Sequence, residues 1–251
     1  HGGGHDLIFP HHENEVAQSC CAFHRQRMAA LWVHNGMLLV NGEKMSKSLG
    51  NFLTVRDILA RGPWAGEAFR LLLLRTHYRA SLDFSFAALE EAKAELDAHY
   101  AMLERAPAPP NPDAPAVAAL AEWAIEPLAD DLNTPLALAR LRDLRTLENA
   151  VTVGGSAAVV LDRIGRSDPP APGEAAEAFR RGAALLGLCA ADPAAWRQGG
   201  GDAAVEAAVA ARLAARKARN WAEADRIRDE LKAQGIILED RPDGTTDWRR
   251  A

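Results

Sequence analysis

Short segments rich in proline and glycine divide this chain and limit how it can fold. Residues 106–112 contain four prolines, which keep the backbone extended and cannot lie inside a helix. Three more prolines interrupt residues 168–173, and three consecutive glycines follow Gln198. Residues 106–112 form the clearest boundary, and the glycines form a second linker. The chain is therefore predicted to comprise segments 1–60, 61–105, 118–197 and 202–251.

The first segment differs from the others, because it holds six of the eight histidines and several glycines. Residues 1–6 are predicted to form a loop, since three consecutive glycines lose too much backbone entropy to remain helical. A helix is predicted from Pro10 to about Met28, with acidic residues near its positive end. Residues 31–33 and 37–40 are short apolar runs typical of buried strands, and an Asn-Gly turn follows the second.

The rest of the chain is predicted to be mainly helical. Thr54 and Asp57 have the spacing of a capping box at the start of one helix. Thr134 is expected to cap a later helix with Pro135 in its first turn, and Asn220 is expected to cap another. The apolar residues predicted to line buried helix faces are Phe69, Leu72, Leu73, Leu74, Leu138, Leu141 and Leu144.

Composition excludes several classes of protein. Hydrophobic residues make up 48% and charged residues 25% of the chain, as in a globular protein rather than a fibrous or disordered one. No apolar run approaches the roughly 18 residues of a membrane span, so we predict no membrane partner. The three cysteines form no disulfide framework and suit a reducing, cytoplasmic location. A net charge of -5 lowers non-specific affinity for nucleic acid but permits a specific RNA partner.

Residues 44–48, with the sequence Lys-Met-Ser-Lys-Ser, are the sharpest signal in the chain. Lys44 and Lys47 place two ammonium groups three residues apart, Ser46 adds a hydroxyl group, and Gly42 and Gly50 flank the segment. Such a loop can close on a polyphosphate and stabilise the negative charge that develops as pyrophosphate leaves. An isolated Lys-x-x-Lys is usually an exposed basic turn, but the full pentapeptide beside a histidine cluster favours nucleotide chemistry.

His11 and Glu15 are a second candidate pair. At a spacing of four they project from one face of the predicted helix, and an imidazole with a carboxylate can bind zinc. Taken alone, the spacing favours a partly buried hydrogen bond between the two side chains over a metal site. Neither Cys20 nor Cys21 lies on the same face as both residues, so a zinc site would need ligands from elsewhere.

Taken together, these residues resemble cysteinyl-tRNA synthetases, and residues 44–48 match the signature loop of class I aminoacyl-tRNA synthetases. The similarity begins with His-Gly-Gly-Gly-x-Asp-Leu-x-Phe-Pro-His-His-Glu-Asn-Glu at residues 1–15. It continues with Asp-Leu-Asn-Thr-Pro at 131–135. It ends with Leu-Glu-Asp at 238–240 and Gly-Thr-Thr at 244–246, and so covers the whole chain.

The resemblance implies a mainly α fold with an α/β remnant. Residues 1–60 would be the later part of a Rossmann-type catalytic domain with the lysine loop, and residues 61–105 a segment that contacts the tRNA stem. Residues 118–197 would form a helical bundle of the anticodon-binding type. Residues 202–251 would form a small mixed domain that recognises the anticodon. Class I enzymes also carry an upstream His-x-Gly-His segment, which this chain lacks. We therefore expect a fragment that does not activate cysteine alone.

The resemblance also implies a reaction and its ligands. The parent enzyme would ligate L-cysteine to its cognate tRNA through a cysteinyl-adenylate, with ATP as substrate and one Zn²⁺ per chain, as a cytoplasmic monomer. His11 and Glu15 correspond to two zinc ligands whose partners are two upstream cysteines. Lys47 corresponds to the lysine that contacts ATP, with Lys44 and Ser46 beside it in the catalytic loop. His1 and Asp6 match the loop that lines the cysteine and adenylate pocket.

Four residues of the tail match family positions associated with reading the anticodon: Arg216, Trp221, Asp225 and Asp240. Carboxylates can accept hydrogen bonds from base amino groups, and an indole can stack on an unpaired base. Packing offers an alternative for Trp221, which shares a helical seam with apolar residues. A solvated helix face offers one for Arg216. Tyr78 and Arg79 are weaker candidates for contact with the tRNA acceptor arm.

Three other functions fit parts of the sequence. The segment His-Gly-Gly-Gly also occurs as an oxyanion-hole motif of esterases, but the chain has no Gly-x-Ser-x-Gly elbow. A non-catalytic RNA-binding module would use the helical block and the tail, with the first segment as a vestigial remnant of an active site. A cysteine ligase of the mycothiol type shares the adenylate chemistry, but it has no use for an anticodon domain.

Overall fold

The computed structural model describes residues 1–45, 50–197, 203–218, 220–240 and 246–250. Within these residues helices predominate, and the strands are few and short. The prediction of a mainly α fold with a small α/β part is thus confirmed. Among the described helices, none combines the length and apolar character needed to cross a membrane.

The glycine-rich start of the chain is a strand, so the prediction of a loop was wrong. Strand β1 (Gly2–Gly4) pairs in parallel with β2 (Val33–Asn35). The pairing brings the two backbones so close that a Cβ on Gly2 would lie 2.8 Å from the carbonyl oxygen of Val33. Glycine is therefore required by the close approach of a neighbouring strand rather than by a turn. The predicted strand at 31–33 overlaps β2 only at Val33.

The first helix is shorter than predicted at both ends. A 3-10 turn (His5–Leu7) and a π-helical turn (Ile8–His12) precede α1, which covers Glu13–Phe23. The backbone of Phe9 is extended, with φ −135° and ψ 133°, so a regular helix cannot run through this position. His24 adopts a left-handed conformation, with φ 50°, and ends the helix well before Met28.

A three-stranded sheet follows, with β3 (Leu38–Val40) in its centre. Strand β4 (Glu43–Lys44) pairs antiparallel with β3, and β5 (Leu82–Phe84) pairs with it in parallel. Asn41 and Gly42 both have positive φ angles, as a tight hairpin between β3 and β4 requires. The predicted Asn-Gly turn is confirmed, and it places Lys44 at the end of a strand.

Along the chain, helices α2 (Val55–Leu59) and α3 (Ala65–Leu74) precede β5, and α4 (Phe86–Arg105) follows it. The capping box of Thr54 and Asp57 is confirmed, because each side chain bonds the other's backbone N–H. The predicted buried face of α3 was partly wrong, since Leu73 is exposed. The buried residues of α3 are Ala65, Ala68, Leu71 and Leu72.

The bundle comprises α5 (Pro115–Ile125), α6 (Thr134–Thr152), α7 (Ala158–Arg163), α8 (Glu174–Leu185) and α9 (Pro193–Arg197), with a short turn (Glu126–Ala129) between α5 and α6. Asn133, rather than Thr134, caps α6, because its side chain accepts from the N–H of Leu136. Leu138 and its predicted partners are buried. They belong to a core that extends from Ile58 to Leu188 and so includes residues on both sides of the proline segment.

The tail has a separate small core. It consists of α10 (Ala203–Lys217), α11 (Trp221–Ala233), β6 (Ile236–Asp240) and β7 (Thr246–Arg250), with the two strands antiparallel. Asn220 caps α11 as predicted, and Gly235 with φ 75° follows the helix. The buried apolar residues of this core are Val205, Val209, Ile227, Leu231, Ile236 and Trp248.

Candidate functional site

Glu15 lies between two imidazoles at the start of α1. Its Oε2 is 2.7 Å from Nε2 of His1, and its Oε1 is 3.3 Å from Nε2 of His11. His11 and Glu15 therefore project from one face, as their spacing of four predicts. The additional contact comes from His1, which directly precedes β1 and lies fourteen residues before Glu15, so spacing along the helix does not reveal it.

His12 is the buried member of the histidine cluster and is 4% exposed. Its Nδ1 lies 2.9 Å from Nε2 of His34, which β2 carries. The ring of Trp32 stacks on His34, with the planes 9° apart and the centroids separated by 5.9 Å. A Cβ on Gly3 would lie 3.0 Å from Cε1 of His12, so glycine in β1 leaves the space that the imidazole fills.

Three side chains of this cluster fit a metal ion by position and by chemistry. His1, His12 and Glu15 each offer one ligand atom, and these atoms all lie within 4.8 Å of one another. Two imidazole nitrogens and one carboxylate oxygen form a donor set that zinc accepts. The hydrogen bond between His12 and His34 would orient the imidazole of His12, as outer-shell partners do in zinc sites. Of the predicted ligands Glu15 and His11, only Glu15 belongs to this group. His12, which directly follows His11 in the sequence, belongs to it instead.

Strand β4, which carries Lys44, approaches the same region. Nζ of Lys44, at the end of β4, lies 3.4 Å from Oδ2 of Asp6, in the turn that follows β1. Both side chains are largely exposed. Lys44 and Asp6 were both predicted to lie on the nucleotide side of the site, and they are brought together. Ser46 and Lys47 lie outside the described residues.

Tyr78 and Arg79 contact the bundle. The hydroxyl of Tyr78 donates to Oδ1 of Asp131 at 2.7 Å, and Nε of Arg79 lies 2.7 Å from Oδ2. These hydrogen bonds from Tyr78 and Arg79 lower the pKa of Asp131. The carbonyl of Tyr78 accepts from the N–H of Gly36, between β2 and β3, at 2.8 Å. A polar link thus joins the start of the bundle to the connection between β2, which carries His34, and β3.

The four predicted tRNA-contacting residues of the tail lie on α10, α11 and β6. Nη1 of Arg216 is 2.9 Å from Oδ2 of Asp240, so Arg216 is ion-paired rather than merely solvated. Trp221 is 59% exposed, and the alternative that it packs in the core is wrong. Asp225 is exposed and lies 3.4 Å from a guanidinium nitrogen of Arg228.

Asp240 is held by more than one partner. Arg212, which is buried, donates to both of its carboxylate oxygens, and Thr246 donates to Oδ1 at 2.6 Å. The hydrogen bonds from Arg212 lower the pKa of Asp240 far below its usual range, with Thr246 and Arg216 acting in the same direction. The solvated helix face that was an alternative for Arg216 does not extend to Arg212, which is buried four residues earlier on the same helix.

Comparison with known families gives two matches at opposite ends of the chain. Residues 1–94 match the sequence model of the tRNA synthetases class I (C) catalytic domain. Residues 198–249 match the model of the cysteinyl-tRNA ligase anticodon binding domain. The chain belongs to the cysteinyl-tRNA synthetase family. The match over the tail disfavours the esterase and mycothiol alternatives, since neither uses an anticodon-binding domain.

Several relatives in this family are similar over the full length of the chain. The cysteine–tRNA ligase of Acidiphilium cryptum is 51% identical over all of this chain and 50% of its own length. That of Gluconobacter oxydans is 50% identical over all of this chain and 49% of its length. That of Granulibacter bethesdensis is 49% identical, over all of this chain and 48% of its length. The chain therefore spans about half the length of these cysteinyl-tRNA synthetase relatives.

Proposed function

We propose that this chain contributes the lysine loop, the histidine cluster and the anticodon-binding tail of an enzyme that ligates L-cysteine to its cognate tRNA. The reaction would proceed through a cysteinyl-adenylate formed from ATP. One observation carries the proposal. Nζ of Lys44, on β4, lies 3.4 Å from Oδ2 of Asp6, within the segment that also holds the cluster of His1, His12 and Glu15. A nucleotide-binding strand and a thiol-selective centre are what cysteine activation requires.

The lysine loop would act on ATP. Lys44 and, in the same loop, Lys47 and Ser46 would place positive charge and hydroxyl groups on the phosphates as pyrophosphate leaves. Asp6 lies beside Lys44 and would hold its ammonium group near the pocket before ATP binds. His1, which directly precedes β1, would face the adenylate. Bound phosphate would compete with Asp6 for Lys44, which is why an exposed and weak contact suits this position.

The histidine cluster would select the amino acid. Zn²⁺ would be held by Glu15 together with His1 and His12, whose ligand atoms lie within 4.8 Å of one another. His11, the predicted partner of Glu15, contacts its Oε1 at 3.3 Å but does not belong to that group. A bound zinc ion would offer a coordination position that a cysteine thiolate fills far better than a serine hydroxyl. Apolar fit separates such similar substrates by only about 1–3 kcal/mol, so metal coordination would supply the missing selectivity. His34 would keep the ring of His12 in one orientation.

The tail would bind the anticodon of the cysteine tRNA. Trp221 is exposed and free to stack on an unpaired base, and Asp225 is exposed at the start of the same helix. Arg216 and Asp240 form a pair at the surface of the tail, where donors and acceptors can meet base edges. A cytoplasmic, monomeric protein remains our expectation for the complete enzyme.

The proposal is tested with a chimera that joins the amino-terminal half of the Acidiphilium cryptum relative to this chain. We expect the chimera to catalyse cysteine-dependent ATP–pyrophosphate exchange. Lys44→Ala and Lys47→Ala should each reduce the exchange at least about tenfold, because each removes a positive charge from the leaving pyrophosphate. Lys93→Ala, which removes a lysine paired with Asp97 on α4, is the matched control and should leave the rate unchanged.

A non-catalytic tRNA-binding module is the second candidate, because the tail has its own hydrophobic core. It predicts a different result from the same chimera. Exchange would be absent, while the chain would still bind cysteine tRNA more tightly than a tRNA with a replaced anticodon. Exchange that depends on Lys44 would exclude this alternative.

A further inference from the structure

Arg212 is buried, which is unusual for a cationic side chain. Only 8% of the side chain is exposed, and it lies on α10, the helix that contributes Val205 and Val209 to the tail core. A buried ion pair adds little stability beyond an apolar pair of the same volume, whereas loss of one partner alone is strongly unfavourable. Stability therefore does not explain why a guanidinium occupies this position.

The guanidinium fixes the carboxylate of Asp240 from the buried side. Nη1 and Nη2 donate to Oδ1 and Oδ2 at 2.9 and 3.1 Å, a two-point geometry that arginine provides and lysine does not. Arg216 lies one turn later on α10 and contacts Oδ2 at 2.9 Å from the more exposed side. The carboxylate thus sits between two guanidinium groups, and its orientation determines where Arg216 points.

Arg212 is also within electrostatic reach of a second predicted RNA contact. The hydrogen bond to Asp240 raises the pKa of Arg212, and the negative charges of Asp240 and Asp225 raise it further. Asp225 belongs to α11, which packs against α10. Arg212 therefore binds one of the carboxylates predicted to meet the anticodon and interacts electrostatically with the other.

We propose that Arg212 is a positioning residue for anticodon recognition, which orients Asp240 and, through it, Arg216 toward the RNA bases without touching RNA itself. The inference rests on the proposed binding of cysteine tRNA by the tail. It adds a residue to which neither the sequence motifs nor the family matches assign a role. If Arg212 no longer orients Asp240, the discrimination between anticodons should be impaired more than the overall affinity for RNA.

The test compares two RNA ligands with the full chain at one fixed salt concentration, since phosphate contacts make affinity depend on salt. One ligand is a cysteine tRNA transcript, and the other is the same transcript with its anticodon replaced. Arg212→Lys keeps the charge but not the two-point geometry. We expect the ratio of the two affinities to fall about tenfold, with the affinity for the replaced anticodon little changed. Arg226→Lys alters a surface arginine paired with Glu223 and is the matched control.

Three outcomes separate the possibilities. An equal loss of affinity for both transcripts, or an unchanged ratio, would show a purely structural role and overturn the proposal. A wild-type chain that does not distinguish the transcripts would instead contradict the proposed anticodon binding. In an Asp240→Asn background, Arg212→Lys should reduce the ratio no further, because its effect passes through Asp240. An additional loss would assign Arg212 another route and overturn the proposal.

Folding of the variants is followed by circular dichroism. If Arg212→Lys does not fold, Thr246→Val replaces it, because Thr246 donates to Oδ1 of Asp240 without carrying a buried charge. The ratio of affinities should then fall in the same direction. An intact ratio in Thr246→Val would overturn the view that the orientation of Asp240 governs recognition.

Discussion

His12 shows how a single side chain acquires partners from distant parts of the chain. The sequence places it beside His11, on a different face of the same turn. In the structure β2 brings His34 within 2.9 Å of its Nδ1, and Gly3 leaves room for the ring. The imidazole is thereby fixed with one nitrogen occupied and lies near His1 and Glu15.

This position makes His12 a test of the proposed zinc centre. We expect His12→Ala to lower the affinity of the chain for Zn²⁺ at least about tenfold, since even outer-shell partners of zinc ligands contribute about 10–100-fold. Isothermal titration calorimetry with zinc chloride measures the affinity. His24→Asn, which changes a histidine at the end of α1 and tolerates its left-handed backbone, is the control. Equal affinities of His12→Ala and wild type would remove His12 from the site.

Helix α8 depends on a buried carboxylate from another helix. Glu148 of α6 is 1% exposed and accepts hydrogen bonds from the N–H groups of Gly173 and Ala176, at the start of α8. The negative charge lies at the positive end of the helix, where it replaces a missing N-cap side chain. Gly173 is required there, since its φ is 88° and a Cβ would lie 2.3 Å from the carbonyl oxygen of Pro107.

Loss of that carboxylate should destabilise the bundle. We expect Glu148→Gln to lower the free energy of unfolding by about 1–3 kcal/mol, because the amide places an NH₂ group against backbone donors and leaves one of them unsatisfied. Urea denaturation followed by circular dichroism measures the change. Glu122→Gln, at an exposed position of α5, should be neutral by comparison. Similar stability of the two variants would show that Glu148 contributes no net stabilisation to α8.

At the scale of the whole molecule, a polar network connects α3, α4 and α6. Glu95 of α4 contacts Arg75 and Arg142, and His99 lies 3.4 Å from the same carboxylate. Burial would raise the pKa of Glu95, but the hydrogen bonds from His99, Arg142 and Arg75 outweigh it and hold this pKa well below its usual range. Burial lowers the pKa of His99 below its ordinary value of 6.5, against the opposing bond to Glu95, and the charges of Arg145 and Arg142 lower it further.

The lowered pKa values of His99 and Glu95 predict that the fold loses stability in acid. Because the pKa of His99 is lower in the folded chain, the unfolded chain binds more protons as the pH falls through 6.5, and the folded state loses stability. Glu95 adds a further loss below pH 4.5, where the unfolded carboxylate takes up its proton. Thermal melting between pH 7.5 and 5 measures the first effect, which one proton limits to about 1.4 kcal/mol per pH unit. His99→Gln should flatten this dependence, and an unchanged slope would contradict the assignment.

Local patterns were sufficient where a single stretch of chain decides the outcome. The capping box of Thr54, the Asn41–Gly42 hairpin and the Leu138 seam all follow from neighbouring residues, and each is confirmed. The family resemblance is likewise contained in short motifs. The proline segment shows the limit of this reasoning: it was predicted to separate two segments, yet one hydrophobic core includes residues on both sides of it.

The tertiary structure determined which residues contact one another. The sequence by itself determined the helical character of the chain, its histidine-rich start and the candidate residues for binding nucleotide, metal or RNA, because residue type and spacing are local properties. Whether Gly2–Gly4 forms a loop or a strand depended on β2 lying alongside. Whether Arg212 is solvated or buried depended on Asp240 returning 28 residues later. Such contacts are set by the packing of distant segments, which no window of sequence contains.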